Sequence, residues 1–370
     1  MQRRYLVNQI TEDLTRKMVF LGGPRQVGKT TLAKSLPDGK RGYLNWDVDS
    51  DRSRILDNKL PAAPLWIFDE IHKYRRWRNY IKGLYDSKDP SQQVLVTGSA
   101  RLDMYRFGGD SLQGRYLYLR LHPLTVAELK IQKQSDFEQL LKLGGFPEPF
   151  FDGSEVYAKR WRREYTARLV RDDVASLESV QDLGTLEVLT QRLPALVGSP
   201  LSIQGLSEDL QISHKTVAKW IAILERLYHI FRLAPFGSPR IKAVKKEQKH
   251  YHYNWASVDS EGARFENLVA CHLLKWVHFQ QDTLGREVEL RYFRDIEARE
   301  VDFVVCEKER PLYLIECKYN EREVSKTLRY LKGKFPEAVA LQLSAVGKED
   351  YLSRDGIRVC PAWGILRDFV

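Results

Sequence analysis

Residues 23–30, Gly-Pro-Arg-Gln-Val-Gly-Lys-Thr, set two glycines, a lysine and a hydroxyl at the spacing of a phosphate-binding loop. Gly23 and Gly28 let backbone N–H groups close around a polyphosphate, Lys29 reaches the β- and γ-phosphates, and the Thr30 hydroxyl ligates magnesium. Arg25, Gln26, Val27 and Thr31 complete the stretch expected to line the nucleotide, ATP. Such a loop needs a strand before it and a helix after it. Met18-Val-Phe-Leu21 is a short apolar run suited to a buried strand, and Thr30-Thr-Leu-Ala-Lys-Ser-Leu36 reads as a helix whose positive end favours phosphate.

A second group follows at Leu65-Trp-Ile-Phe-Asp69-Glu70, an apolar strand ending in two carboxylates, the form of a Walker B motif. Asp69 is expected to hold magnesium through water and Glu70 to orient the attacking water, which points to hydrolysis beyond binding. A third apolar run, Gln93-Val-Leu-Val-Thr97-Gly-Ser99, ends in hydroxyls, and Ser99 is the candidate contact to the γ-phosphate. With Tyr43-Leu-Asn-Trp-Asp47 and Arg115-Tyr-Leu-Tyr-Leu-Arg-Leu121 these make five strands. Alternating strands and helices imply an α/β domain with a parallel sheet.

A third constellation lies near the other end. In the strand Val301 to Cys306, Asp302 is the lone acid, and Leu312-Tyr-Leu-Ile-Glu316-Cys-Lys318 ends with Glu316 and Lys318 two apart, hence on one face. Between these groups, Ile203 to Leu210, a turn at Gln211-Ile-Ser213, and Lys215 to Leu227 form a helix-turn-helix pattern. His214, Lys215 and Lys219 lie near the start of its second helix, where phosphates or bases would be met. Lys245 and Lys246 belong to a basic stretch that would follow as strands or a wing. A pure packing role for the same elements stays open.

Composition frames these groups. The 370 residues hold Lys+Arg 59 against Asp+Glu 49, a net +10, and residues 211 to 250 carry nine Lys/Arg against two Glu. That excess fits a polyanionic partner such as DNA, as well as a solvated face. No apolar run approaches the roughly 20 residues that span a bilayer, and the N-terminus lacks a leader's apolar core, so no membrane and a cytoplasmic location are expected. Cys271, Cys306, Cys317 and Cys360 are scattered, without metal-ligand spacing, and read as reduced thiols.

Taken together, Gly23-Pro-Arg-Gln-Val-Gly-Lys-Thr-Thr31, Ile67-Phe-Asp-Glu-Ile-His72, Thr97-Gly-Ser99, Leu112-Gln-Gly-Arg115, Leu121-His-Pro-Leu124 and Gly144-Gly-Phe-Pro-Glu148 resemble the bacterial and archaeal AAA+ ATPases that carry an uncharacterised C-terminal region. The resemblance implies an AAA+ core over 1–123 and a helical lid over 124–178. In such ATPases a neighbouring subunit often supplies an arginine, and Arg115 resembles that position, which implies a homo-oligomer; a structural arginine tying the loop to the sheet is the other reading. The basic middle then covers 179–250 as a winged helix-turn-helix. Residues 251–370 form a second α/β domain, in which Asp302, Glu316 and Lys318 match the pattern of restriction-endonuclease-like nucleases, with Glu266 as the helical acid. That likeness implies magnesium held by Glu266, Asp302 and Glu316, with Lys318 assisting water. The expectation is an ATPase that couples ATP binding and hydrolysis to binding or remodelling of DNA, including branched DNA, with cleavage left open. The alternative is a nucleotide-dependent signalling or defence switch acting through a protein partner.

Overall fold

Five strands, β1 (Met18–Gly22), β2 (Tyr43–Asn45), β3 (Leu65–Asp69), β4 (Gln93–Thr97) and β5 (Tyr116–Arg120), pair in the order β2-β3-β4-β1-β5, every pair parallel. The expected α/β fold with a five-strand parallel sheet is present. β1 is buried along its whole length and β3 nearly so, as continuous apolar runs covered on both faces must be. The order sets β4 between the loop-bearing strand and the strand ending in Asp69. Thr97 is consequently in register with both Leu21 and Asp69. Helices Val7–Leu14, Lys29–Ser35, Asp49–Leu56 and Trp77–Ser87 surround the sheet.

The computed structural model describes residues 3–98, 112–174, 182–237 and 248–370. Two compact units result: one is formed by residues up to Pro123 with Arg226–Tyr228 and Asp282–Leu284, the other by the remainder. The helices expected as a lid, Val126–Leu129, Gln134–Leu143, Pro147–Asp152 and Glu155–Arg168, are built into the second unit. There the Trp255 indole donates to the Leu140 carbonyl at 3.1 Å, and buried Lys275 reaches Glu128 at 2.8 Å. The helices Ile203–Leu210 and His214–Arg226 follow, then an antiparallel pair, β6 (Ile230–Leu233) and β7 (Lys249–His252).

The last part of the second unit is a six-stranded sheet. Its strands are β8 (Val288–Arg294), β9 (Glu300–Glu307), β10 (Arg310–Lys318), β11 (Val339–Ser344), β12 (Tyr351–Leu352) and β13 (Ile357–Pro361), in the order β12-β13-β11-β10-β9-β8. β8, β9 and β10 run antiparallel, while β10, β11 and β13 run parallel. The preceding helix extends over Glu261–Leu284 and stops where Gly285 takes a left-handed φ of 65°. All four cysteines are free thiols, three of them buried. Among the described residues no helix is long and apolar enough to cross a membrane.

Candidate functional site

The phosphate-binding loop leaves β1 at its C-terminal end and turns into the helix Lys29–Ser35. Gly23 has φ 132°, and a Cβ there would lie 2.3 Å from the Leu121 carbonyl oxygen, so only glycine fits against the segment after β5. Gln26 and Gly28 are also left-handed, with φ 60° and 98°. Lys29 is buried, and its Nζ donates to the carbonyls of Gly23 at 2.9 Å and Pro24 at 2.6 Å. Arg4, which sequence reasoning passed over, secures the loop from outside. Its guanidinium donates to the Val27 carbonyl at 2.7 Å and to that of His122.

Asp69 is the centre of the site. Its Oδ2 accepts hydrogen bonds from Thr30 Oγ1 at 2.8 Å and Tyr43 Oη at 2.7 Å, and its Oδ1 accepts one from Thr97 Oγ1 at 2.6 Å. Thr97 is fully buried, so this hydroxyl positions Asp69; Ser99 lies outside the described residues. In sequence Tyr43 is marked only as part of a strand. Burial, then its bond to Asp69, raises the Tyr43 pKa and keeps the phenol protonated. The Thr30 hydroxyl and Asp69 carboxylate, hard oxygen donors in contact, fit a magnesium ion, which they would hold with the nucleotide phosphates.

Glu70 departs from the strand with φ 57° and ψ 17°, and its N–H donates to the Thr97 carbonyl at 3.0 Å. A left-handed glutamate is strained and needs support, here from this bond and from Lys73, 3.4 Å from Oε2. Burial raises the Glu70 pKa, partly offset by Lys73 and Lys29. A carboxylate with raised proton affinity is suited to take a proton from water.

Arg115 is not brought to this site within the chain. It precedes β5, whose start is in register with Met18 at the start of β1, whereas the loop leaves the far end. Its guanidinium grips Asp86 through Nε at 2.8 Å and Nη2 at 3.2 Å, the arrangement of a structural arginine.

In the second unit, Ser213 Oγ accepts from the Thr216 N–H at 3.1 Å at the head of the helix His214–Arg226. His214, Lys215 and Lys219 are exposed on its first two turns. Lys245 and Lys246 lie outside the described residues.

The C-terminal acids do assemble, since Phe303 opposite Ile315 sets Asp302 beside Glu316. They do not fit the magnesium expected of them. Asp302 Oδ2 accepts the Cys317 N–H at 2.8 Å, and Glu316 Oε1 pairs with Lys318 Nζ at 2.7 Å. Lys249 Nζ lies 3.5 Å from Glu266 Oε1, 2.5 Å from Glu300 Oε1 and 3.9 Å from Asp302 Oδ1. Among the described residues no group of three His, Cys, Asp or Glu is disposed to hold a metal ion. The expected magnesium ligands Glu266, Asp302 and Glu316 are thus corrected: two lysines engage the oxygens. In sequence Lys249 ends a basic stretch, and only its place on β7 shows it to be buried.

The first site lies within a region that matches a known domain family. Residues 15–130 match the AAA domain family, while residues 134–256 and 261–365 match two domains of unknown function, DUF8612 and DUF4143. An uncharacterised protein of Mycobacterium tuberculosis is 26% identical over 243 residues, covering 63% of this chain and 53% of its own length. The chain thus spans about half the length of that relative. An uncharacterised protein of Methanocaldococcus jannaschii is 22% identical over 356 residues, covering 85% of this chain and 78% of its own. Among solved structures, the Walker-type ATPase of Pyrococcus abyssi matches with a TM-score of 0.44 at 14% identity, covering 71% of this chain and 95% of that one. The match to the AAA domain thus covers residues 15–130, and matches to two domains of unknown function follow it.

Proposed function

We propose that the protein hydrolyses ATP with magnesium and uses nucleotide state to control DNA binding by its helix-turn-helix segment. The observation that carries the ATPase reading is the grip of Thr30, Tyr43 and Thr97 on Asp69, with Glu70 next in the chain. Loop N–H groups and Lys29 bind the β- and γ-phosphates. Magnesium, when bound, supplies charge neutralisation between them. Glu70 orients water and takes its proton as the new P–O bond forms and the bond to ADP breaks. The DNA reading is supported by the exposed His214, Lys215 and Lys219 on a capped helix that follows a short turn.

The test is a DNA titration with ATP turnover measured in parallel. Affinity is expected to fall steeply between about 50 and about 200 mM salt, and the double variant Lys215→Ala/Lys219→Ala to flatten that slope by about two units. DNA that neither binds nor changes turnover would remove the DNA role and favour the switch with a protein partner.

A further inference from the structure

Lys249 carries a charge into the interior of the second unit. The residue is fully buried on β7, yet its ammonium is surrounded by acids from two elements: Glu266 on the helix Glu261–Leu284, and Glu300 and Asp302 on β9. A buried ammonium keeps its charge only when paired, and here three carboxylates supply the pairing. The Tyr292 ring, its centroid 5.5 Å from Nζ, closes another side.

Two further contacts fall on Glu266. The Tyr251 hydroxyl donates to Glu266 Oε1 at 2.6 Å, and a Cβ added at Gly198 would lie 3.1 Å from Glu266 Oε2. With Asp302 Oδ2 taken by Cys317 and Glu316 Oε1 by Lys318, Glu316 Oε2 is buried without a hydrogen-bond partner. One such oxygen is far from the roughly six that a hard divalent ion collects.

We propose that the Lys249 ammonium is the resident cation of this cluster, standing where Glu266 and Asp302 would otherwise share a divalent ion, so that the domain is metal-free and does not cleave DNA. The lysine comes from the strand that pairs with β6 behind the helix-turn-helix, so one ion cluster also ties that segment to the C-terminal sheet. This goes beyond the ATPase reading and does not depend on it.

Mn2+ uptake by the nucleotide-free full chain, counted by electron paramagnetic resonance, tests the proposal alongside thermal melting with and without Mn2+. In the wild type, Asp302→Asn and Glu316→Gln are expected to leave Mn2+ uptake unchanged, and Mn2+ to leave the melting temperature unchanged. Lys249→Met is expected to melt lower, to gain one Mn2+ and to recover part of its loss with the ion; adding Asp302→Asn should abolish both gains. A wild-type Mn2+ removed by Asp302→Asn would overturn the proposal, as would a folded Lys249→Met that gains no ion. If Lys249→Met does not fold, the wild-type comparison still decides. Using nucleotide-free protein keeps the result separate from the ATP site.

Discussion

The phosphate-binding loop and the C-terminal acid cluster are assembled from like parts, strand-end carboxylates and a buried lysine, and they differ in what touches what. At the first, Asp69 is held by three neutral hydroxyls, and Lys29 donates to the carbonyls of Gly23 and Pro24. The carboxylate is oriented by groups that leave its charge in place for a metal. At the second, lysines bind the acids themselves. Neutral positioning keeps a site open to ions; ionic positioning closes it.

The largest break in this comparison is Lys29→Ala. Removing the one ammonium on the loop is expected to weaken ATP binding by about 100-fold, the scale of lost hydrogen bonds to a charged group. Equilibrium binding of a fluorescent ATP analogue checks it, and unchanged affinity would break the assignment.

The second effect sharpens the contrast through pH. Burial lowers the pKa of His229 and His250 to about 4 and of His272 to about 3, and that of His252 well below its usual value. Their folded values lie below the unfolded ~6.5, so the stability they allow is present above that pH and lost as pH falls toward 4. Burial, then Asp302, raises Glu266 to about 8 and Glu316 to about 7. Their contribution has the opposite sign: it is present below about 4.5 and lost as pH rises through 7 to 8. Burial also raises Asp302, so four histidines oppose three carboxyls, and the second unit should lose stability as pH falls from 6.5 toward 4 and again as it rises through 7 to 8, by up to about 1.4 kcal/mol per pH unit for each net proton. Hydrogen exchange across residues 249–272 between pH 5 and 8.5 would show it. Protection that rises steadily to alkaline pH would contradict it.

Tyr43→Phe should have the smallest effect. It removes one of three hydroxyls from Asp69, about 1 kcal/mol, and should raise the magnesium needed for half-maximal turnover about fivefold. An unchanged magnesium dependence would mean that Tyr43 only packs.

The first unit was legible because local order carries most of its chemistry. Loop, strand and helix are contiguous around Gly23 to Thr30, and apolar runs announce β1, β3 and β4. What sequence did not reveal are contacts made across the fold. Tyr43 lies 26 residues from Asp69, and nothing in its strand marks its hydroxyl. Lys249 follows a basic run and reads as its continuation. A strand of four buried residues, Lys249 to His252, carries no apolar alternation to betray it. The contact of Arg115 with Asp86 is hidden in the same way, because a motif resemblance does not show which acid the guanidinium meets within the chain.

The central claim, hydrolysis at the site of Lys29, Asp69 and Glu70, is tested most directly by Glu70→Gln. Glutamine keeps the shape and cannot take the proton, so ATP affinity should match wild type while turnover falls by about 100-fold or more. Binding and steady-state hydrolysis measured on the same preparation give both numbers. Wild-type turnover in the folded variant would contradict the account.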